Sequence, residues 1–300
     1  MDRGNAPFDR RLLALRRARA LRTRTPEADF LLKAVLQDLA ERLNAVNRRF
    51  ERALDLGGHT GRTSEMLLRS EKVDHIVRTD VQTGDLHGKY PALVADEETL
   101  PFAEESFDLI VSALILQWTN DLPGTLLQIR KCLKPDGLFL GVLPGGETLN
   151  ELREAFLMAE AELTGGISPR VAPFSTTQGI GALLQRARFA LPVVDQDKLI
   201  VRYDTAFHLM RDLKSMGATN VMHERSRKPP SRALFIKMAE NYMRLFSDKD
   251  GRIRATFQMI SMSGWAPHES QQKPLKPGSA KTSLAEALAN PGSIEPERDG

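Results

Sequence analysis

The sequence predicts an α/β domain built on a mostly parallel sheet. Apolar runs at about 52–56, 75–79, 92–95, 107–112 and 138–143 alternate with helical patterns, as repeated strand–helix units do. The fourth run, Phe107-Asp108-Leu109-Ile110-Val111-Ser112, and the fifth, Leu138-Phe139-Leu140-Gly141-Val142-Leu143, are almost continuously apolar. Strands covered on both faces read this way. The first three runs finish in an acid or a glycine turn: Asp55 with Gly57, Gly58 and Gly61, then Asp80, then the pair Asp96-Glu97. Ligands of open α/β sheets bind just outside such strand ends.

The elements follow in order. Residues 1–24 carry eight arginines against Asp2 and Asp9, with a partial apolar stripe of Leu12, Leu13 and Leu15. This segment is either a solvated basic helix or a helix that closes over the ligand site or touches an acidic partner or membrane surface. Pro26 marks a second helix start. Leu32, Leu36, Leu39, Leu43 and Val46 recur at helical spacing and lead into the first strand. The strand–helix alternation implies right-handed crossovers. A helix over about 121–133 stops at Lys134-Pro135-Asp136-Gly137, where proline and glycine turn the chain. Beyond Pro144 the pattern gives a helix at 147–163 closed by Gly165-Gly166, and a strand at 193–203. Helices at 205–216 and 231–246 and a strand at 253–265 follow. The two late strands complete the sheet, and the helices of about 205–250 form an insertion above the site. The expected division is 1–50 for N-terminal helices, 51–266 for the sheet domain, and 267–300 for a flexible tail rich in proline, glycine, serine and charge.

Chemistry concentrates at the first three strand ends. Glycine permits a sharp turn and close approach of a ligand to the backbone. Asp55 can accept from a ligand amino group, and Asp80 from both hydroxyls of a ribose. Asp96 can take the exocyclic amine of an adenine, with Glu97 as second candidate. A dinucleotide loop is one alternative, but Gly57, Gly58 and Gly61 do not make the Gly-x-Gly-x-x-Gly spacing. A purely structural strand–turn–helix is the other. The run from Asp55 to Gly61 resembles the first motif of the class I S-adenosylmethionine-dependent methyltransferases. That resemblance implies a Rossmann-like, seven-stranded sheet and S-adenosyl-L-methionine as cofactor. His59 stands where the family has its middle glycine, so a looser turn is expected.

Composition narrows the partners. A net charge of +3 with no basic–aromatic interleaving gives no case for nucleic acid. The single cysteine, Cys132, lies in a helical pattern that suits packing and a reducing compartment. No apolar run is long enough for a membrane span, and the arginine-rich N-terminus has no apolar signal core. These features predict a cytoplasmic protein, with peripheral contact at the inner membrane through the basic N-terminus. No metal site is expected, because His268-Glu269 lacks the second histidine of a zinc helix. Arg211, Lys214, Arg225, Arg227, Lys228 and Arg232 make the insertion basic. That is a solvated face or a surface for an acidic partner.

Further stretches narrow the resemblance. They are Phe8-Asp9-Arg10, Ala95-Asp96-Glu97-Glu98, Gln117-Trp118-Thr119-Asn120-Asp121, Gly145-Gly146-Glu147-Thr148-Leu149, Leu209-Met210-Arg211-Asp212-Leu213 and Gly264-Trp265. Together they are similar to the assembly factor 5 family of respiratory complex I. That resemblance implies hydroxylation of an arginine in a complex I subunit on a methyltransferase fold. A weaker similarity to the biotin-pathway malonyl-acyl-carrier-protein O-methyltransferases implies an acyl carrier protein as partner and methyl transfer to a carrier-bound acid. In the first family a histidine precedes the tryptophan after the fourth strand, and here it is Gln117. Gln117 and Trp118 are the reaction-site candidates; the alternative is a tryptophan packed under the adenine and a glutamine bonding the backbone. A non-catalytic chaperone with a degraded cofactor site is the third functional possibility.

Overall fold

The computed structural model of the chain describes residues 6–23, 29–81 and 91–272. Pro26 and the tail from residue 273 onward lie outside them. Met1–Pro267 forms one unit by its internal contacts.

Seven strands form one sheet in the order β3-β2-β1-β4-β5-β7-β6. They are β1 (Phe50–Leu56), β2 (Val73–Asp80), β3 (Ala92–Val94), β4 (Phe107–Ala113), β5 (Leu133–Pro144), β6 (Ala190–Tyr203) and β7 (Ile253–Trp265). The first five are parallel, and β7 runs antiparallel to both β5 and β6. Every residue of β4 is buried, as is β5 from Gly137 to Pro144. The edge strand β6 is half-buried or exposed throughout, apart from buried Tyr203 at its end.

The helices are α1 (Arg10–Arg22), α2 (Phe30–Ala45), α3 (Arg62–Arg69), α4 (Leu122–Cys132), α5 (Asn150–Thr164), α6 (Thr177–Arg186), α7 (Ala206–Ser215) and α8 (Arg232–Phe246). Side chains alternate across the pleat, so the strands feed two cores. Ala53, Leu109, Val111, Leu138 and Leu140 join one core with Leu39 of α2, Phe156 of α5 and Tyr242 of α8. Leu54, Leu56, Ile110, Phe139 and Leu143 join the other with Leu13 of α1, Leu126 of α4 and Ile180 of α6. Cys132 belongs to this second core, and burial pushes its thiol pKa up. The chain order reverses between β1 and β4, the switch point where a crevice opens outside the strand ends.

Two elements depart from expectation. Helix α6 had no counterpart in the pattern, because Gly179 and Gly181 dilute its helical signal. Its start is fixed by Thr176, whose side chain accepts from the Gly179 N–H at 3.1 Å. Strand β5 is assigned from Leu133, earlier than expected, with a register shift against β4 between Phe107 and Leu109. Asp136 takes a left-handed φ of 57° within that early segment.

Candidate cofactor and reaction site

The turn after β1 is built around two left-handed glycines, Gly57 and Gly61, each at φ 77°. A Cβ on Gly57 would lie 2.5 Å from Ile115, and one on Gly58 would collide with the Asp55 carboxylate. Gly61 caps α3, and its missing side chain leaves room for Arg78, 2.7 Å from where a Cβ would stand. His59 does not open the turn. Its φ is not positive, so the position has no conformational need for glycine. Its backbone N–H donates to Asp80 at 3.0 Å, and the loop closes through Gly58 N–H to the Thr79 carbonyl at 2.8 Å. The expected loosening is therefore absent from the backbone.

The acids occupy successive strand ends in different environments. Asp55 is fully buried, and burial raises its pKa to about 7 against the opposing hydrogen bond from Ser64. Ser64 Oγ donates to Asp55 Oδ2 at 2.6 Å, while Oδ1 has no partner. Asp80 is buried at the end of β2 and accepts from Arg17 at 2.6 Å. After β3 the two candidates separate. Asp96 is half-exposed, pairs with Arg10 at 2.8 Å and accepts from the Glu98 N–H at 2.9 Å. Glu97 turns inward at 1% exposure. It pairs with Arg10, and burial raises its pKa against the attraction of Arg10 and Arg17. Its Oε1 has no partner. The sequence reading ranked Asp96 above Glu97, and the structure points the other side chain inward.

Gln117 and Trp118 form a 3-10 turn after β4, Leu116–Trp118. Gln117 Nε2 donates to the Leu114 carbonyl at 2.9 Å, while its buried Oε1 has no partner. Trp118 is buried and meets Phe8 edge-on at 5.5 Å. Both residues line a cavity with Gly57, Gly58, Thr60 and Phe174. Asp55, Asp80, Gly61, Asp96 and Glu97 do not line it; Arg17 does, and it covers Asp80. The Gln117 bond and the Trp118 packing match the structural alternative for these residues, yet the cavity keeps both beside the glycine turn.

Three of the quoted motifs meet beside the cavity. Phe8 N–H donates to Asn120 Oδ1 at 2.8 Å, Asn120 Nδ2 returns a bond to the Phe8 carbonyl at 3.2 Å, and the Asn120 N–H donates to Glu98. The individual arginines of α1 were not foreseen as site residues. The signal was available: Arg10, Leu13, Arg17 and Ala20 share one helical stripe, and two of those four positions are arginines turned toward acids.

An adenosyl cofactor suits these residues on structural grounds. The glycines let the turn close tightly, since the space each Cβ would need is taken by Ile115, Asp55 and Arg78. Unpartnered buried oxygens on Asp55, Thr60, Glu97 and Gln117 await donors, and such groups are costly unless a partner completes them.

Comparison with known proteins agrees with this architecture. Residues 54–141 match a methyltransferase domain family. The solved YcgJ protein from Bacillus subtilis superposes with a TM-score of 0.54 at 16% identity, over 78% of this chain and 98% of that one. A putative methyltransferase from Bacillus halodurans gives 0.53 at 14% identity, over 77% and 98%. These establish a class I methyltransferase fold. The arginine-hydroxylase NDUFAF5, mitochondrial, of Danio rerio is 40% identical over 90% of this chain and 85% of its own length. The Mus musculus protein of the same name is 40% identical over 93% and 83%. A malonyl-[acyl-carrier protein] O-methyltransferase of Xylella fastidiosa is 35% identical over 78% and 80%. The relatives' mitochondrial designation overturns the expectation of a cytoplasmic protein. A single cysteine suits a reducing compartment but does not say which one. With 40% identity across nine-tenths of its length and a methyltransferase domain match over residues 54–141, this chain belongs to the NDUFAF5 family of methyltransferase-fold enzymes.

Proposed function

We propose that the chain binds S-adenosyl-L-methionine at the ends of β1, β2 and β3 and modifies an arginine of a respiratory complex I subunit. The observation that carries the reading is the set of three buried acids at successive strand ends, two of them with an unpartnered oxygen. Asp80 receives the ribose hydroxyls, Glu97 the adenine amine with Asp96 at the rim, and Asp55 the amino group of the methionine arm. Gly57, Gly58 and Gly61 let the ligand approach the backbone. For methyl transfer the bound cofactor would supply an electrophilic sulfonium; hydroxylation is a two-electron oxidation that would need an oxygen-derived oxidant as co-substrate besides it, and in both reactions the protein supplies alignment and exclusion of water. Gln117 and Trp118 stand on the acceptor side of the glycine turn, and Gln117 Oε1 is placed to accept from a guanidinium. The names of the relatives support arginine as the modified residue and hydroxylation as the reaction.

The second reading is O-methylation of a carrier-bound acid. The Xylella fastidiosa relative supports it, and the basic 205–250 segment suits an acidic carrier protein. Calorimetric titration with S-adenosylmethionine and S-adenosylhomocysteine, on the wild type and Asp80→Ala, tests the cofactor site. Binding by the wild type that is lost in Asp80→Ala is the expected result. Absence of binding by the wild type sinks both enzymatic readings in favour of an assembly chaperone. Mass spectrometry of complex I subunits from cells with and without the chain then separates the two reactions. Gain of one oxygen on an arginine supports hydroxylation. Release of S-adenosylhomocysteine with a malonyl carrier protein supports methyl transfer.

A further inference from the structure

Asp29 stands at the start of α2 and is 7% exposed. An aspartate there ordinarily caps the helix with its side chain, but this one makes no cap bond to α2. Its Oδ2 instead accepts from Arg62 Nε. Arg62 is the first residue of α3, directly after Gly61, and its side chain is 30% exposed. The pair joins a buried carboxylate to a guanidinium that reaches water.

Asp29 lines the cavity that Gln117 and Trp118 also line. The acids assigned to the cofactor, Asp55, Asp80 and Glu97, do not line it. Among the described residues, Asp29 is thus the one carboxylate facing this space. Arg17 faces it too, but is already paired with Asp80. Much of the remaining wall is apolar, with Leu31 and Leu32 of α2, Leu213 of α7 and Phe257 of β7. Gln117 adds a buried carbonyl oxygen without a partner.

We infer that Asp29 recognises the acceptor, taking the guanidinium of the incoming arginine in exchange for Arg62. This rests on the arginine reading above. An arginine side chain is an apolar stem ending in a planar fork of donors, with no acceptor of its own. The leucines and Phe257 suit the stem; the Asp29 carboxylate and the Gln117 oxygen suit the fork. Carboxylate and guanidinium match in bidentate geometry. A guanidinium entering an apolar cavity without a counter-charge is strongly disfavoured. The exchange keeps Asp29 paired throughout and releases Arg62 to solvent, so neither buried charge is left alone. The same carboxylate repels an acceptor that is itself an anion, and so selects against a carrier-bound acid.

The test is calorimetric titration of the full chain, saturated with S-adenosylhomocysteine, with two probes. One is N-acetyl-arginine methylamide; the other is its citrulline counterpart, whose ureido group has a similar shape and no charge. Wild type, Asp29→Asn and Arg62→Met are compared, with thermal melts to verify folding. The wild type should prefer the arginine probe by about tenfold or more, and Asp29→Asn should abolish that preference. Arg62→Met removes the competing guanidinium, so it should strengthen the arginine probe by about threefold or more and leave the citrulline probe unchanged. A merely structural ion pair gives no such gain, and Arg62→Met keeps the test decisive should Asp29→Asn not fold. No preference in the wild type, a preference kept in Asp29→Asn, or weaker arginine binding in Arg62→Met would overturn the inference and leave the cofactor reading intact. Mass spectrometry separates it from the arginine reading. If a complex I arginine gains oxygen to the wild-type extent in cells carrying Asp29→Asn, the arginine reading stands and the inference falls. Failure of the wild type to bind S-adenosylhomocysteine would overturn the cofactor reading and this inference with it.

Discussion

Two basic segments of this chain look alike in sequence and behave oppositely in the fold. The N-terminal helix α1 turns Arg10 and Arg17 inward onto Glu97 and Asp80. The loop from Arg225 into α8 leaves Arg227, Lys228 and Arg232 exposed, and among the described residues only Arg225 of these four has an ion-pair partner, Asp9. The difference lies in what each segment faces. Helix α1 crosses the strand ends where the acids stand, so its arginines gain partners that burial strengthens. The loop faces water, where such charges contribute little. Basic composition alone therefore does not reveal whether a segment is a solvated face or part of a site.

The sharpest way to break this contrast is at Asp80. Asp80→Ala removes the acid assigned to ribose and strands the Arg17 guanidinium. We expect loss of cofactor binding in calorimetry and destabilisation of about 3–5 kcal/mol in denaturant unfolding. Replacing Arg227 and Lys228 together by serine should change stability by no more than about 0.5 kcal/mol per site and leave cofactor affinity unaltered. If both variants lose stability equally, the inward–outward contrast is wrong.

A smaller effect is expected between the neighbouring acids. Glu97→Gln should weaken S-adenosylhomocysteine by about tenfold or more, since it removes a buried charged acceptor. Asp96→Asn should cost less than about threefold, because its carboxylate is half-exposed and screened. The reverse order in titration would restore Asp96 as the principal adenine acceptor.

Asp55 supplies a pH-dependent prediction. Its pKa is raised to about 7 by burial, so an ammonium ligand must first find it ionised. Cofactor affinity should fall on acidification, to about tenfold weaker at pH 6 than at pH 8. Folding stability has the opposite trend. A carboxyl with a raised native pKa stabilises most below its ordinary value, and that contribution is lost as pH rises through about 7. Asp55→Asn should flatten both profiles; an unchanged profile would place the titrating group elsewhere.

Much of this was legible from local pattern. Strands β4 and β7 were expected at 107–112 and 253–265 and are found at Phe107–Ala113 and Ile253–Trp265; a nearly continuous apolar run marks β4, and the flanking Gly251 and Pro267 mark the limits of β7. Helix α6 was not legible, since glycines at 179 and 181 weaken a pattern that tertiary packing of Ile180 and Leu184 nevertheless holds. The acids at the strand ends could be named because strand ends are where this architecture gathers ligands. Which of Asp96 and Glu97 points inward depends on the course of the chain after β3, a strand of only three residues, and no periodicity encodes that.

The sequence by itself determined the α/β alternation, the glycine turn after β1 and the row of acids, all of which depend on short-range spacing along the chain. Only the tertiary structure decided that α1 lies across those acids, because the contacts of Arg17 with Asp80 and of Arg10 with Glu97 join residues far apart in the chain. Whether an arginine in a basic helix is a surface charge or a buried counter-ion depends on the field and the solvent around it, and those exist only once the chain has folded.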